Sequence, residues 1–419
     1  MSQMDVLIVS AVFEPEPVVS AQTSAQLARA LRSRGCSVRV LTAFPSRPTR
    51  TLFKNYKRRL IENTTLPDGV HVIRCFTFFS SKSSLLDRGL ENISFGLISG
   101  WYVLAGRRPD VVYANTWPIF ATWIITMIAA IRRIPVVLSI QDLYPEALFE
   151  QNRLKSNSPV IKVLQIVEKK MVNLCSHVIA ISERFSKVLV EQRLLPKERV
   201  TVVPNWIDVS KLNFDVEYES FRSAHGVTAD EQLLVYGGNV GRAAGVENLI
   251  EAMKLLKNEK IKLLVAGEGA QLDVCRTLAV TMGSNKVMFH SPWKESDTAL
   301  VLGAADLLVL PTKGMQSLTS VPSKALSYML SGRPILAIAV PGSDLEQLIV
   351  DSGCGWVIGD DSASSIADAV RRICSGSTED RQTRGDAGRQ FVRKRFSKEL
   401  CIPEAIGVIV KAAQTVRSQ

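Results

Sequence analysis

The 419-residue sequence has few of the residues that build metal centres and disulfide frameworks. Its four histidines are far apart in the chain and match no metal-ligand spacing. Its seven cysteines are dispersed singly, and none forms a Cys-x-x-Cys pair. An odd, scattered set of cysteines indicates reduced thiols rather than disulfides or a zinc site, so it favours a cytoplasmic protein without a metal cofactor.

Long apolar segments are also scarce. The N-terminus begins with a strand-like pattern and has no basic region followed by an apolar stretch, so we expect no signal peptide. Residues 111–131 carry no charge and are long enough to consider as a membrane-spanning helix. Asn115 and Pro118 interrupt this run. We therefore interpret it as a buried strand followed by a core helix over Ile119–Ile131.

Acidic residues are under-represented in the first half of the chain only. Residues 1–205 carry 27 Lys and Arg against 15 Asp and Glu, whereas residues 206–419 carry 24 against 25. This asymmetry indicates a polyanionic partner for the first half, either nucleic acid or an anionic membrane surface. An uneven surface charge that only aids solubility is the alternative. No nucleic-acid recognition motif is visible, so we favour the membrane.

Short apolar runs alternate with helical patterns along the chain, which predicts parallel strands covered on both faces. In the first half the strand-like runs are DVLIVSAVF, SVRVLTAF, VHVIRCF, DVVYAN, IPVVLSI, HVIAIS and VTVVPN. The pattern restarts with LLVYGGN, IKLLVAGEG, VMFHSPW, ADLLVLP and RPILAIAV. The fold class is therefore α/β, with two doubly wound, Rossmann-like domains.

We place the first domain at residues 1–205 and the second at residues 206–396. A C-terminal helix at about residues 397–419, broken at Pro403, is expected to pack back on the first domain. Other predicted helices cover Ser24–Arg34 and Val246–Leu256. Two such domains facing each other would place their ligand sites along a shared cleft.

Three segments of the second domain carry candidate phosphate-binding chemistry. The first follows a strand and opens a helix, and it contains Gly238, Asn239, Gly241 and Arg242. Glycines let the backbone approach a ligand, and free N–H groups at a helix N-terminus attract phosphate. Arg242 adds a charged fork suited to a diphosphate. The alternative is that the glycines only form a tight turn.

The second segment is Gly267-Glu268-Gly269, at the end of a predicted strand. We interpret it as one wall of a nucleotide pocket, with a simple turn as the alternative.

The third segment runs from Ser320 through Val321, Pro322, Ser323 and Lys324 into a predicted helix. Proline suits a helix start, and either serine is able to cap it. A lysine in the first turn is unfavourable against the helix dipole, so its presence indicates a bound anion. An exposed lysine without a ligand is the alternative.

Together these segments resemble glycosyltransferase family 4, a large retaining group with the GT-B fold. The similarity extends over nearly the whole chain, and SIQDLYPEALFE, VVPNWID, YGGNVGRAAGVENLIEAM and SVPSKALSYMLSGRPILA carry most of it. The segments DLYPE and PNWID are most similar to the branch that contains fucosaminyl transferases of O-antigen assembly. The resemblance implies a nucleotide-sugar donor bound by the C-terminal domain, an acceptor bound by the N-terminal domain, and no required metal.

The chain departs from this family's pattern at the expected phosphate cations. The family carries Gly-Arg and Lys-Gly in the first loop, where this chain has Gly238-Asn239 and Ala244-Gly245. We expect Arg242 and Lys324 to replace the missing cations. The second glutamate of the family's Glu-x(7)-Glu pair falls at Ser327, whose hydroxyl is a weaker ribose ligand than a carboxylate.

In the N-terminal domain, polar residues end two predicted strands. Asp142 and Glu146 follow one strand, and Asn115 and Thr116 follow another. The resemblance places them on the acceptor side, where Asp142 would orient or deprotonate the acceptor hydroxyl. Helix N-capping is the alternative for Asp142.

Basic and apolar residues also cluster in this domain. Lys54, Lys57, Arg58 and Arg59 stand among apolar residues, and Ile93–Val103 is apolar and aromatic, ending near Arg107 and Arg108. Such a surface suits an anionic bilayer, whereas core packing of the aromatic residues is the alternative.

The sequence thus predicts a metal-independent transferase at the inner face of the cell membrane. It would move a sugar, of the HexNAc type, from a UDP-linked donor to a lipid-linked saccharide of a bacterial surface polysaccharide. Four alternatives remain open: a GDP-mannose-dependent transferase, a sugar-nucleotide 2-epimerase, a non-catalytic membrane-binding protein, and an inactive family member.

Overall fold

The computed structural model describes residues 3–47, 51–78, 85–144, 159–281, 285–313 and 323–417. The chain forms two compact units. The first unit comprises Met1–Trp206 and Glu399–Gln419, and the second comprises Ile207–Lys398.

The first unit is built on an eight-stranded sheet in the order β3-β4-β2-β1-β5-β6-β7-β8. Its strands are β1 (Asp5–Val9), β2 (Ser37–Ala43), β3 (Ile61–Thr65), β4 (His71–Cys75), β5 (Val111–Asn115), β6 (Val136–Ile140), β7 (His177–Ala180) and β8 (Val200–Val202). All neighbours pair in parallel except β3, which pairs antiparallel to β4 at the edge.

Helices cover both faces of this sheet because its strands are apolar on both faces. The helices are α1 (Val19–Ser33), α2 (Leu85–Ala105), α3 (Ile119–Ile131), α4 (Pro159–Leu174), α5 (Glu183–Glu191) and α14 (Lys398–Arg417). Helices α1 and α14 pack on the face that contains Val6 and Ile8. Helices α2 to α5 pack on the face that contains Leu7 and Val9. This alternation along β1 is the two-residue period of a strand.

The second unit has a six-stranded parallel sheet in the order β11-β10-β9-β12-β13-β14. Its strands are β9 (Gln232–Gly237), β10 (Ile261–Ala266), β11 (Val287–His290), β12 (Leu307–Pro311), β13 (Ile335–Ile338) and β14 (Gly355–Ile358). Its helices are α6 (Glu219–Ala224), α7 (Val246–Leu255), α8 (Leu272–Thr281), α9 (Thr298–Gly303), α10 (Lys324–Ser331), α11 (Asp344–Ser352), α12 (Ala363–Cys374) and α13 (Thr378–Arg395). Separate apolar clusters lie on the two faces.

Most predicted elements are present, with several corrected bounds. The uncharged run divides into β5 and α3 as predicted. Helix α1 begins five residues before the predicted Ser24. Helix α14 runs through Pro403 instead of breaking there, because burial of its apolar face against the first sheet outweighs one lost backbone hydrogen bond. Among the described residues, no helix is both long and apolar enough to cross a bilayer.

Helix α2 packs closely against α3 through glycines. A Cβ atom at Gly96 would lie 2.8 Å from the Cα atom of Ala121 and 2.9 Å from Cδ1 of Ile124. At Gly89, on the same helix, a Cβ atom would have no neighbour within 4 Å. The two glycines therefore separate the effect of packing from that of helix propensity.

The substitution Gly96→Ala should lower the melting temperature of the first unit. Overpacking costs about 1–3 kcal/mol and exceeds the gain of up to about 1 kcal/mol in helix propensity. The control Gly89→Ala should raise the melting temperature by about 1–3 °C, since it receives only the propensity gain. Calorimetric scans of both variants measure the difference. Equal shifts would show that α2 and α3 are not in close contact.

Candidate functional site

The carboxyl ends of β9 and β12 lie side by side at the point where the strand order of the second sheet reverses. From β9 the chain continues outward to β10 and β11 on one side, and β12 leads to β13 and β14 on the other. Loops diverge at such a switch point and leave a crevice, which is where ligands bind in open α/β sheets. The predicted glycine loop follows β9 at this edge.

The glycine loop after β9 packs backbone to backbone on the loop after β10. Gly238 N donates to Ala266 O at 2.9 Å, and Val240 N donates to Glu268 O at 2.8 Å. Gly267 has φ = +133°, and a Cβ atom there would collide with the carbonyl oxygen of Gly238. The contact between the two loops thus requires a glycine at position 267, which gives Gly267 a structural role.

Lys324 begins the described part of α10 and reaches the glycine loop. Its Nζ donates to the hydroxyl of Tyr236 at 2.8 Å and lies 4.5 Å from the centre of the Tyr236 ring. A Cβ atom at Gly238 would be 2.6 Å from this Nζ, so the glycine leaves room for the ammonium group. Burial lowers the pKa of Lys324 from its ordinary value of 10.5 to about 8. The lysine predicted from the helix start therefore lies at the switch point.

Two tyrosines that sequence reasoning missed hold this arrangement in place. The Tyr236 hydroxyl donates to Asn239 O at 2.7 Å. The Tyr328 hydroxyl receives a hydrogen bond from Gly237 N at 2.6 Å and is 3.0 Å from Gly237 O. Both rings are fully buried, and burial raises the pKa of both hydroxyls, so they stay protonated. The sequence could have indicated Tyr328, since it follows Lys324 by one helical turn and therefore lies on the same face of the helix.

Arg242 begins a single 3₁₀ turn, Arg242–Ala244, immediately before α7. The side chain is exposed. When the Gln271 amide is oriented to satisfy both of its neighbours, its oxygen accepts from Arg242 Nε and its nitrogen donates to Glu247 Oε1, each at 3.3 Å. The guanidinium is close to the N-terminus of α7, as an anion-binding role requires.

Lys313 is a third cation beside the glycine loop, and the sequence analysis did not include it. Its backbone N–H donates to Ala243 O at 2.9 Å, and its side chain is exposed beside Gly245. Gly245 adopts a left-handed conformation and opens α7. Its position two residues after the end of β12 could have indicated a place at this edge of the sheet.

The remaining predicted donor residues are less closely connected to this centre. Asn239 and Glu268 are exposed, and Gly241 packs on the Asn239 side chain. Ser323 is exposed and its side chain does not cap α10, whereas Ser327 is half-buried on that helix. Ser320, Val321 and Pro322 lie outside the described residues.

In the first unit, Asn115 and Thr116 are tied into the fold. Asn115 Nδ2 donates to Ser10 Oγ at 3.0 Å and to Ser24 Oγ at 3.1 Å, and the residue is only 6% exposed. The Thr116 hydroxyl accepts from Gln141 N at 3.1 Å and is buried. These bonds join β1, α1, β5 and the segment after β6, so both side chains position neighbouring backbone.

Asp142 follows β6 at the carboxyl edge of the first sheet. Burial raises the pKa of its carboxyl above the ordinary value, which strengthens it as a proton acceptor. It does not cap a helix within the described residues. Glu146 lies outside the described residues.

A small pocket that was not predicted lies at the same edge of the first unit. The loops after β1, β2 and β5 line it with Glu16, Arg47 and Trp117, and helix α2 adds Glu91. Arg47 pairs with Glu91 and lies 5.0 Å from the centre of the Trp117 ring. Glu16 accepts hydrogen bonds from the backbone N–H groups of Phe13, Ser46 and Arg47 at 2.8–3.2 Å. The sequence could have indicated this pocket, because several of its lining residues follow the ends of predicted strands.

All seven cysteines are free thiols. Within the described ranges, no group of three or more His, Cys, Asp or Glu side chains is placed to hold a metal ion.

Two family models match the chain, one for each unit. Glycosyltransferase Family 4 matches residues 21–211, and Glycosyl transferases group 1 matches residues 217–391. The probable glycosyltransferase WbjE of Pseudomonas aeruginosa is 27% identical over 78% of this chain and 82% of its own length. The putative colanic acid biosynthesis glycosyl transferase WcaI of Escherichia coli K12 is 24% identical over 83% and 90%.

Solved structures share the fold over the full length. A sucrose-phosphate synthase from Thermosynechococcus elongatus has a TM-score of 0.75 at 18% identity and covers 100% of both chains. Anabaena Alr3699/HepE in complex with UDP has a TM-score of 0.68 at 17% identity, with 99% of this chain and 100% of that chain covered. The two parallel-sheet units have the GT-B fold, and the chain belongs to the family 4 type of glycosyltransferases.

Proposed function

We propose that the protein is a retaining, metal-independent glycosyltransferase of the branch that contains the fucosaminyl transferases. It transfers an N-acetylhexosamine-type sugar from a UDP-linked donor to a lipid-linked saccharide at the cytoplasmic face of the membrane. The observation that carries this proposal is the ammonium group of the half-buried Lys324, which lies against Tyr236 and Gly238 at the switch point.

A nucleoside diphosphate supplies the negative charge that this ammonium group lacks as a partner. Among the described residues, Lys324 Nζ has the neutral Tyr236 hydroxyl as its polar partner and no carboxylate. Burying a positive charge without an opposite charge costs free energy, and a bound diphosphate offsets that cost. Arg242 and the free N–H groups at the start of α7 add positive potential beside the same loop.

The same groups supply the transition-state chemistry of sugar transfer. As the bond between the sugar and the diphosphate breaks, negative charge develops on the leaving phosphate. Lys324 and Arg242 stabilise that charge, as preorganised cations do in place of a divalent metal ion. Because these groups are held by the fold before the reaction, little reorganisation is needed.

The first unit would bind the acceptor. Around its small pocket, the Trp117 ring offers an apolar face for a sugar ring, and the Arg47–Glu91 pair offers polar groups for sugar hydroxyls. Asp142, with its raised pKa, is the candidate to accept the proton of the attacking hydroxyl.

The names of similar proteins support a role in bacterial surface polysaccharides. WcaI carries the name of colanic acid biosynthesis, and the matched CapM of Staphylococcus aureus carries that of capsular polysaccharide biosynthesis. The UDP complex of HepE supports UDP as the nucleotide.

Of the nucleotides UDP, GDP, ADP and dTDP, UDP should raise the melting temperature most. At a concentration of about 100 times Kd, a ligand stabilises the folded state by about 2.7 kcal/mol. Thermal unfolding with each nucleotide, without added metal, measures this. A larger effect of GDP would assign a different donor, and no effect of any nucleotide would contradict the donor site.

Replacing Lys324 should separate stability from activity. Lys324→Met removes a poorly solvated charge, so the melting temperature at pH 7 should rise while kcat falls about 100-fold or more. The pKa of Lys324 is about 8 in the folded state and about 10.5 in the unfolded state. As the pH rises between these values, the folded protein loses the unfavourable charge, so the stability of the wild type should increase. The gap in melting temperature should therefore shrink as the pH rises from 8 to 10.

The control for this variant is Lys254→Met, on the exposed surface of α7. It should leave both the melting temperature and its pH dependence as in the wild type. If Lys324→Met melted at a lower temperature than the wild type at pH 7, the protein itself would already offset the desolvation cost of the ammonium group without a ligand.

Trp117→Leu should raise KM for the acceptor about tenfold or more and leave KM for the UDP-sugar unchanged. The substitution keeps an apolar side chain but removes the ring face on which a sugar stacks. Initial rates with each substrate varied in turn distinguish the two constants. An effect on the donor KM alone would exclude this pocket as the acceptor site.

A further inference from the structure

Helix α2 is apolar on two opposite sides. Its inner side, which includes Phe95 and Val103, packs in the core of the first unit. A second apolar row is exposed, at spacings of three and four residues that define one helix face: Leu90, Ile93, Leu97, Trp101 and Leu104. Leu97 is 60% exposed and Trp101 is 65% exposed. We name this row the α2 stripe.

Two neighbouring helices extend the apolar surface beyond the α2 stripe. Helix α3, which packs against α2, contains no charged residue and exposes Met127 and Ile131. Helix α4 packs against α3 and exposes Val163, Ile166 and Leu174. Exposed apolar patches of this extent mark interaction sites on soluble proteins.

The charges around this surface are of one sign. Helix α4 exposes Lys162, Lys169 and Lys170, and Arg107, Arg108 and Arg133 are exposed just after α2 and α3. The acidic side chains of the same helices are withdrawn from the exposed surface. Glu91 pairs with Arg47, Glu168 is fully buried against Arg193, and Asp87 is half-buried.

We propose that the outer surface of α2, α3 and α4 docks on an anionic lipid bilayer, with the α2 stripe inserted among the acyl chains and the α4 lysines on the headgroups. Exposed leucines and a tryptophan beside lysines and arginines match the two layers of a bilayer surface. The segment Ile93–Val103 thus divides between the two interpretations of its sequence, since Phe95 belongs to the core and Trp101 to the surface.

A second copy of the chain fits this surface less well. Two copies meeting through it would bring their α4 lysines and nearby arginines together, and like charges oppose such contact. An anionic bilayer complements both the apolar row and the positive rim. The inference deepens the proposed membrane location, since it names the surface that makes contact.

Co-sedimentation with vesicles tests this proposal, with the full chain and no nucleotide. The wild type should bind vesicles of phosphatidylglycerol and phosphatidylcholine more tightly than vesicles of phosphatidylcholine alone. Leu97→Glu with Trp101→Glu should reduce binding about tenfold or more. Lys162→Gln, Lys169→Gln and Lys170→Gln together should weaken binding to the anionic vesicles and flatten its salt dependence.

Two matched variants of the second unit serve as controls. One adds two glutamates, as the α2 stripe variant does, and the other removes three lysines, as the α4 variant does. Val280→Glu with Val350→Glu alters two exposed valines on α8 and α11, and Lys254→Gln, Lys257→Gln and Lys294→Gln removes three exposed lysines. Both sets should bind vesicles as the wild type does. Circular dichroism of every variant checks folding.

Three results would overturn the docking surface. They are no vesicle binding by the wild type, equal binding by the α2 stripe variant, and a vesicle-free dimer that the same variant dissociates. Nucleotide stabilisation is measured separately on the wild type, so failure of the UDP site and failure of this surface give different results.

Discussion

The proposed donor site depends on one ammonium group at the switch point of the second sheet. Lys324 reaches from α10 to the end of β9 and lies against the face and hydroxyl of Tyr236. Only a residue without a side chain leaves room for it at Gly238. Tyr328, one turn later on α10, holds Gly237 through two hydrogen bonds. Burying this charge costs free energy, and a bound diphosphate would offset that cost.

We propose that this arrangement replaces the missing family cations. The loop positions that carry Arg and Lys in the family hold Asn239 and Ala244 here. Positive charge reaches the same loop from α10, and Arg242 and Lys313 lie on its outer side. An anion site depends on charge and donor N–H groups in space and not on one sequence pattern. The proposed site therefore retains positive charge although the family pattern is absent.

The fold was largely predictable because buried parallel strands have an unmistakable apolar pattern, as β5 and β10 show. Strand β3 was not predictable, since IENTT is polar and forms only because β4 offers an edge. Lys324 was predicted from its conflict with the helix dipole. Its partner Tyr236 is 88 residues away in the sequence and is brought to it by the fold. Asn115 has a structural role that the sequence did not predict, because a polar residue at a strand end can serve a buried hydrogen-bond network.

The role proposed for Lys324 is to bind the diphosphate of the donor. Calorimetric titration of UDP and of uridine into wild type and Lys324→Met measures that role, because the four affinities form a thermodynamic cycle. The ratio of UDP affinity to uridine affinity should fall at least about tenfold from the wild type to the variant, with the uridine affinity nearly unchanged. The same ratio in both proteins would show that Lys324 does not bind the diphosphate.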